Sequence, residues 1–217
     1  MAQDFINVHT HKPGAGINIV DPCLGEVMLP ENGKAYFSMG IHPLYIDATA
    51  EEKLKEIGLA AATGKIVAVG ECGLDRNSPV SMEVQQDLFG RQAELAARYD
   101  LPLIIHGVRA IPELIAVYKK CPSHCKWIMH GFNNRREILQ DLLQHGFYIS
   151  AGRHVMEIGS NVYRLLPEIP DNQILIETDN SDFTIEEIYQ SVARRKEITV
   201  EKLQQIVRTN FDKLFVI

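Results

Sequence analysis

What most constrains this chain is a repeated alternation of short apolar runs with longer stretches of helical periodicity. The runs fall at residues 5–9, 36–41, 66–70, 103–106, 127–130, 147–150 and 174–177. They are short and rich in Ile, Val or aromatics, as strands buried on both faces of a parallel sheet are. Between them lie helix signals. Thr49-Ala50-Glu51-Glu52 and Thr184-Ile185-Glu186-Glu187 read as capping boxes. Ser81 reads as the cap of a helix with Val84, Leu88, Leu95 and Tyr99 on one face. Pro112 falls in a first turn ahead of Leu114, Ile115 and Tyr118. Asn133 or Asn134 starts a helix bearing Ile138, Leu139, Leu142 and Leu143, which Gly146 ends. Thr199 opens a last helix through Leu203, Ile206 and Val207. Strand–helix units of roughly 30 residues predict right-handed βαβ crossovers, a parallel sheet and a single α/β domain over residues 1–217. Residues 12–34 break the pattern, with three Pro, four Gly and no helical period. A loop or small hairpin around 16–20 and 26–29 is expected there.

The 217 residues suffice to bury a core without disulfide staples. Lys and Arg total 22 against 28 Asp and Glu, a net charge of −6. That excludes a protein holding nucleic acid through a broad basic surface, but not a nuclease whose metal ions meet the phosphate. The N-terminus lacks the basic start and apolar run of an export signal, and no stretch approaches the ~20 apolar residues of a membrane span. With four cysteines (Cys23, Cys72, Cys121 and Cys125), the expectation is a reduced, cytoplasmic chain with no membrane contact. Cys121-Pro122-Ser123-His124-Cys125 offers half of a structural zinc site, but without a second ligand pair it reads as a helix-to-strand turn. Cys72 alternates away from Glu71 and is expected to pack under a helix.

Six potential metal ligands fall at the C-terminal ends of the predicted strands. They are His9 and His11 (two apart, so on one face), Glu71, His106, His130 and Asp179. A lone strand-end histidine is usually a hydrogen-bonded rim residue. Six such residues at the same end of successive strands differ, because a parallel α/β fold gathers those ends on one face. Four imidazoles and two carboxylates suit a transition metal better than Mg²⁺. Six ligands exceed one tetrahedral site, so two ions sharing a carboxylate is the economical arrangement, and it points to hydrolysis by activated water. No Gly-x-Ser-x-Gly, Walker loop or dinucleotide fingerprint competes.

Val8-His9-Thr10-His11, Gly40-Ile41-His42-Pro43, Val69-Gly70-Glu71-Cys72-Gly73-Leu74-Asp75, Ile105-His106, His130-Gly131-Phe132, Phe147-Tyr148-Ile149-Ser150 and Glu177-Thr178-Asp179 occur in that order. This ordered set resembles the TatD-like metal-dependent deoxyribonucleases. Thr209-Asn210-Phe211-Asp212-Lys213-Leu214-Phe215 is similar to that family's C-terminal Asn-x-x-x-Leu-Phe. The resemblance implies a distorted TIM barrel, here with seven regular strands or an eighth contributed irregularly by residues 16–29. It also implies phosphodiester hydrolysis, often as a 3′-to-5′ exonuclease, on DNA that is single-stranded or presents ends. Two divalent ions (Zn, Mn or Mg) are implied as cofactors. His9, His11, Glu71 and Asp179 would hold one ion, and Glu71, His106 and His130 the other. Asp179 would orient or deprotonate the attacking water, and His42 would contact the scissile phosphate or leaving group.

The chain departs from the family pattern at several places. Asn7 stands where the family has Asp, and would orient an imidazole through its carbonyl oxygen. Val108 stands where an Arg is common, with Arg109 one place late. The segments at 12–34 and after Asp179 are shortened. An open rim leaves a second reading, hydrolysis of a small-molecule ester, amide or phosphate on the same centre. Glu177 is expected beneath Asp179 as a partner for a ligand or in a buried salt bridge. Asp75 and Arg76 are expected to pair near the mouth. Arg135, Arg136, Arg153 and His154 follow strand ends and are candidates for phosphate contacts.

Overall fold

The computed structural model describes residues 4–22, 33–121 and 126–217. The strands are β1 (Ile6–Thr10), β2 (Gly16–Val20), β3 (Gly33–Met39), β4 (Ala68–Asp75), β5 (Leu103–Val108), β6 (Trp127–Met129), β7 (Tyr148–Ala151) and β8 (Ile174–Ile176). The helices are α1 (Ala50–Ala62), α2 (Met82–Arg98), α3 (Ile111–Tyr118), α4 (Arg136–Gln144), α5 (Asn161–Leu165), α6 (Ile185–Lys196) and α7 (Val200–Leu214). There are thus eight strands among the described residues, not seven. The additional one is β2, at the 16–20 half of the irregular segment; the expected 26–29 half lies outside the described residues. No helix among the described residues is long and apolar enough to cross a membrane.

The chain divides into two compact units, one of residues 1–36 and 129–216, the other of residues 37–128 with the C-terminal residue. In the first unit β1 pairs with β2 and β7 with β8, both parallel. A parallel bridge from Thr10 to Asp179 then sets the last strand beside the first. Helix α7 packs on β8 and β1. Two buried polar residues fix this packing. The Tyr189 hydroxyl on α6 donates to the Ile6 carbonyl at 3.0 Å, and Asn210 on α7 donates to the Asp171 and Ile174 carbonyls at 2.7 and 2.9 Å. The asparagine of the C-terminal motif is therefore a structural clamp on the entry to β8, where it satisfies carbonyls that would otherwise be buried unpaired.

In the second unit β3, β4 and β5 pair in parallel, and the Leu103 amide donates to the Lys126 carbonyl at 2.8 Å. Trp127 packs edge-on against Phe89 and Tyr118, with ring centroids 5.3 and 5.2 Å away. Cys72 is buried, its thiol directed at the Ile104 carbonyl, as expected of a residue facing away from Glu71.

Several caps match expectation. Ser81, Thr184 and Thr199 each accept a backbone N–H, and Thr184–Glu187 forms the full capping box. The start of α1 differs. Thr49 makes no capping bond; it donates to Asp47, whose carboxylate also accepts the Thr49 amide at 2.8 Å. The start of α4 is later than expected, after Arg135, because the Asn133 side chain accepts from the Val162 amide instead. The buried face of α2 is also rotated from the expected one. It carries Gln85, Leu88, Phe89, Gln92, Ala93 and Ala96, while Val84 is exposed.

Candidate metal centre

In the first unit β1 carries His9 and His11, whose rings lie 5.1 Å apart. His130, one residue past β6, brings its ring within 4.7 Å of that of His9. Asp179 is three residues past β8 in the left-handed region, with φ 53°. A non-glycine residue there is strained and must be held by its surroundings. Here the Asp179 amide donates to the His9 carbonyl at 3.0 Å, and its own carbonyl accepts from the His11 amide at 3.2 Å and from the Thr10 hydroxyl at 3.2 Å. That clamp turns the carboxylate toward both histidines, with Oδ1 3.6 Å from Nε2 of each. His9, His130 and Asp179 offer donor atoms within 4.8 Å of one another. Sequence reasoning thus named four residues that the first unit gathers: His9, His11, His130 and Asp179.

The tautomer of His11 follows from its neighbour. Its Nδ1 lies 2.9 Å from the Asp21 carbonyl, which can only accept, so Nδ1 carries the proton. Nε2 is then left with its lone pair toward Asp179. A ligand imidazole usually has its second nitrogen fixed by such an outer acceptor.

In the second unit β4 and β5 run on past Glu71 and His106, which were expected at the strand ends. Gly73, φ 147°, permits the close approach of those strands; a Cβ there would lie 2.0 Å from the His106 carbonyl oxygen. Glu71 Oε1 is 2.8 Å from His106 Nδ1, and Asp75 Oδ2 is 3.0 Å from His106 Nε2. His42 Nε2 is 3.2 Å from the same Glu71 oxygen. Asp75 is 3% exposed, and Asn77 donates to its other oxygen at 2.7 Å. Both ring nitrogens of His106 thus face carboxylates. One imidazole between two carboxylates needs either a second ring proton or a cation in place of one; a cation on the Glu71 side takes the Nδ1 lone pair and leaves the proton on Nε2, toward Asp75. The donor set therefore fits a metal, with Asp75 as the acceptor behind a ligand histidine.

His42 has the opposite tautomer. Its Nδ1 accepts the Leu44 amide at 3.1 Å, which places the proton on Nε2, the nitrogen facing Glu71. An imidazole whose one lone pair accepts a backbone amide and whose other nitrogen is protonated is a proton donor, not a metal ligand, although His42, Glu71 and His106 cluster within 4.8 Å.

Two residues positioning this unit were missed from sequence. Gln92 bonds both backbone groups of Ile41, accepting its amide at 2.6 Å and so holding the turn that bears His42. Gln85 accepts the Asp75 amide at 2.8 Å and donates to the Asp75 and Val80 carbonyls. The available signal was two glutamines seven apart on one helix face, a spacing that buries both when either is buried.

Other expectations change. Asn7 does not reach an imidazole: it donates to the Thr178 hydroxyl at 2.8 Å and accepts the Thr178 amide at 3.0 Å. Asp75 does not pair with Arg76, which instead bonds Glu113 and the Arg109 carbonyl. Glu177 is fully buried, accepts the Gly131 amide at 2.6 Å and lies 3.5 Å from His130 Nδ1, with no Lys or Arg beside it among the described residues. Arg136 is occupied by Glu168 at 2.6 Å. The Cys121–Cys125 reading lies mostly outside the described residues.

A family model for TatD-related DNases matches residues 24–216. The uncharacterized metal-dependent hydrolase YabD of Bacillus subtilis is 30% identical over 204 residues, covering 87% of this chain and 80% of that protein. The 3′-5′ ssDNA/RNA exonuclease TatD of Enterobacter lignolyticus is 32% identical over 155 residues, and the match covers 68% of this chain but only 58% of that protein's length. Among solved structures, the Escherichia coli TatD homologue YjjV superposes with a TM-score of 0.81 at 23% identity over 99% of both chains. An Escherichia coli phosphotriesterase homology protein, with phosphate in its active site, gives 0.71 at 11% identity. The fold is thus the distorted parallel β/α barrel that the sequence implied. The chain belongs to the TatD-related DNase family, a family of hydrolytic enzymes.

Proposed function

We propose that the two units form one domain with a dinuclear centre, in which His9, His11, Glu71, His106, His130 and Asp179 would hold two divalent ions. The reaction is hydrolysis of a phosphodiester in single-stranded DNA or at DNA ends, in a 3′-to-5′ direction like that in the name of the exonuclease relative. The observation that carries this reading is the pattern of partners on the ring nitrogens. His11 and His106 each have one nitrogen engaged by an oxygen acceptor and the other turned toward a carboxylate, whereas His42 keeps its proton on the nitrogen facing Glu71.

When bound, the cations lower the pKa of water and neutralise phosphate charge. Asp179, clamped by β1, orients the attacking water and accepts its proton. Attack on phosphorus lengthens the bond to the leaving oxygen, and His42 delivers its Nε2 proton to that oxygen as the bond breaks. Gln92 keeps His42 in place by holding Ile41, and Asp75 keeps His106 in its ligating tautomer.

The test is a panel with Mg²⁺, Mn²⁺ or Zn²⁺: end-labelled single-stranded DNA, bis-p-nitrophenyl phosphate, and simple esters and amides. Stepwise shortening of DNA from its 3′ end is expected. Intact DNA beside a cleaved ester, amide or phosphomonoester overturns the nuclease reading and leaves the small-molecule hydrolase.

A further inference from the structure

An open cleft of about 740 Å³ lies in the first unit between the turn after β7 and the loop after β8. It is lined by Arg153 and His154 on one side and by Asn180, Ser181 and Phe183 on the other. Three properties mark it as built for a ligand of particular chemistry. Phe183 is 42% exposed, an aromatic ring left with a free face only four residues from Asp179. Arg153 is exposed and makes no ion pair or hydrogen bond among the described residues. The Ser181 hydroxyl is buried without a hydrogen-bond partner among them. The acids around the cleft are engaged by other groups. Asp182 pairs with Lys12 at 2.9 Å, Glu187 accepts from Thr184 in the capping box, and Glu157 lies 3.5 Å from His154. Arg153 is therefore not cancelled by a direct partner.

A free aromatic face, an uncommitted guanidinium and an unpaired hydroxyl match the three parts of one nucleotide. Bases stack on aromatic rings with little regard to sequence, and guanidinium groups bind phosphate in a bidentate fork. The loops after the seventh and eighth strands of a β/α barrel are also a recurrent phosphate site. We propose that this cleft is a nucleotide subsite of a single strand. It stacks one unpaired base on Phe183 and takes the adjoining phosphate on Arg153, next to the phosphodiester presented to Asp179. A duplex, whose bases are already stacked, does not fill it. This rests on the nuclease reading above.

Binding separates the two readings from each other. A fluorescein-labelled oligothymidylate is titrated with the protein in EDTA, so that no hydrolysis occurs, and followed by anisotropy. Phe183→Ala is expected to weaken binding by about 5- to 100-fold, with Phe183→Tyr restoring it. Arg153→Gln is expected to flatten the dependence of log K on log salt by about 0.7. Both residues are exposed, so a native thermal midpoint accompanies either result. No binding by the parent chain, or native affinity and salt slope in both variants, overturns the subsite. Hydrolysis of the substrate panel is scored apart. Binding that responds to both variants without phosphodiesterase activity sinks the nuclease reading alone, and activity with unresponsive binding sinks the subsite alone.

Discussion

Replacing Asp75 by Asn changes one atom in a buried site and reverses a proton assignment. In the native chain Oδ1 of Asp75 accepts the Asn77 amide at 2.7 Å and Oδ2 accepts from His106 Nε2 at 3.0 Å. The asparagine has a single acceptor oxygen. If it keeps the Asn77 bond, its NH₂ faces Nε2, which must then hold a lone pair, and the proton moves to Nδ1. That nitrogen is the one 2.8 Å from Glu71 and the one assigned to the metal. If the amide flips instead, the Asn77 N–H is left facing a donor and loses its hydrogen bond, which on this exposed residue costs about 0.5–1.5 kcal/mol. Both routes penalise the ligating tautomer. Loss of an acceptor behind a ligand histidine typically weakens metal binding by 10–100-fold, or about 1.4–2.7 kcal/mol. The assay is competition of Zn²⁺ or Mn²⁺ against a chromophoric chelator, for the parent and for Asp75→Asn at equal thermal midpoint. Weakening confined to one of two sites is expected. Unchanged affinity at both would refute the assignment of Asp75 and, with it, the ligating nitrogen of His106.

His42→Ala is expected to slow DNA hydrolysis by about 10²–10⁴-fold. The loss should be much smaller for bis-p-nitrophenyl phosphate, whose leaving group needs no proton; equal losses on both would exclude a proton-donor role. Gly73→Ala should cost more than about 3 kcal/mol in urea unfolding, because its Cβ would meet the His106 carbonyl oxygen at 2.0 Å and φ is 147°. A change under about 1 kcal/mol, the ordinary range for Gly→Ala, would contradict the close strand approach. The hydrogen bond from the Thr49 hydroxyl, together with Lys53, lowers the Asp47 carboxyl to about 2 from its usual 3.8. A lowered carboxyl favours the folded state above its unfolded value and loses that contribution as pH falls through the folded one. The anchor ahead of α1 should therefore be intact above pH 4 and released near pH 2, read from the Asp47 carboxyl shift by NMR. Titration near 3.8 would show that the contact does not form in solution.

The strands and their order were legible because buried parallel strands leave continuous apolar runs, and seven such runs were visible. The eighth strand was hard to see because Gly16–Val20 sits among prolines and glycines that break every period. The residues that cluster at the candidate centre were legible for a related reason: chemistry-bearing side chains end apolar runs where they would otherwise be costly. What could not be read was the layer behind them. Asp75, Gln85, Gln92 and Asp21 act through side-chain or carbonyl geometry across 10 to 51 residues of sequence. No local periodicity records a pairing at that distance. Asn7 misled because its spacing to His9 suggested an orienting role, whereas its amide closes on Thr178 from the far end of the chain. The start of α1 misled because a Thr-x-x-Glu pattern was present, yet Asp47 competed successfully for the threonine hydroxyl.

Titration of the metal-free protein with Mn²⁺, with bound metal and hydrolysis of 3′-labelled single-stranded DNA followed together, tests the shared centre most directly. The expected course is two equivalents bound per chain, activity rising with the second, and loss of that second equivalent in Glu71→Gln. Saturation at one ion, or hydrolysis that survives exhaustive chelation, would contradict it.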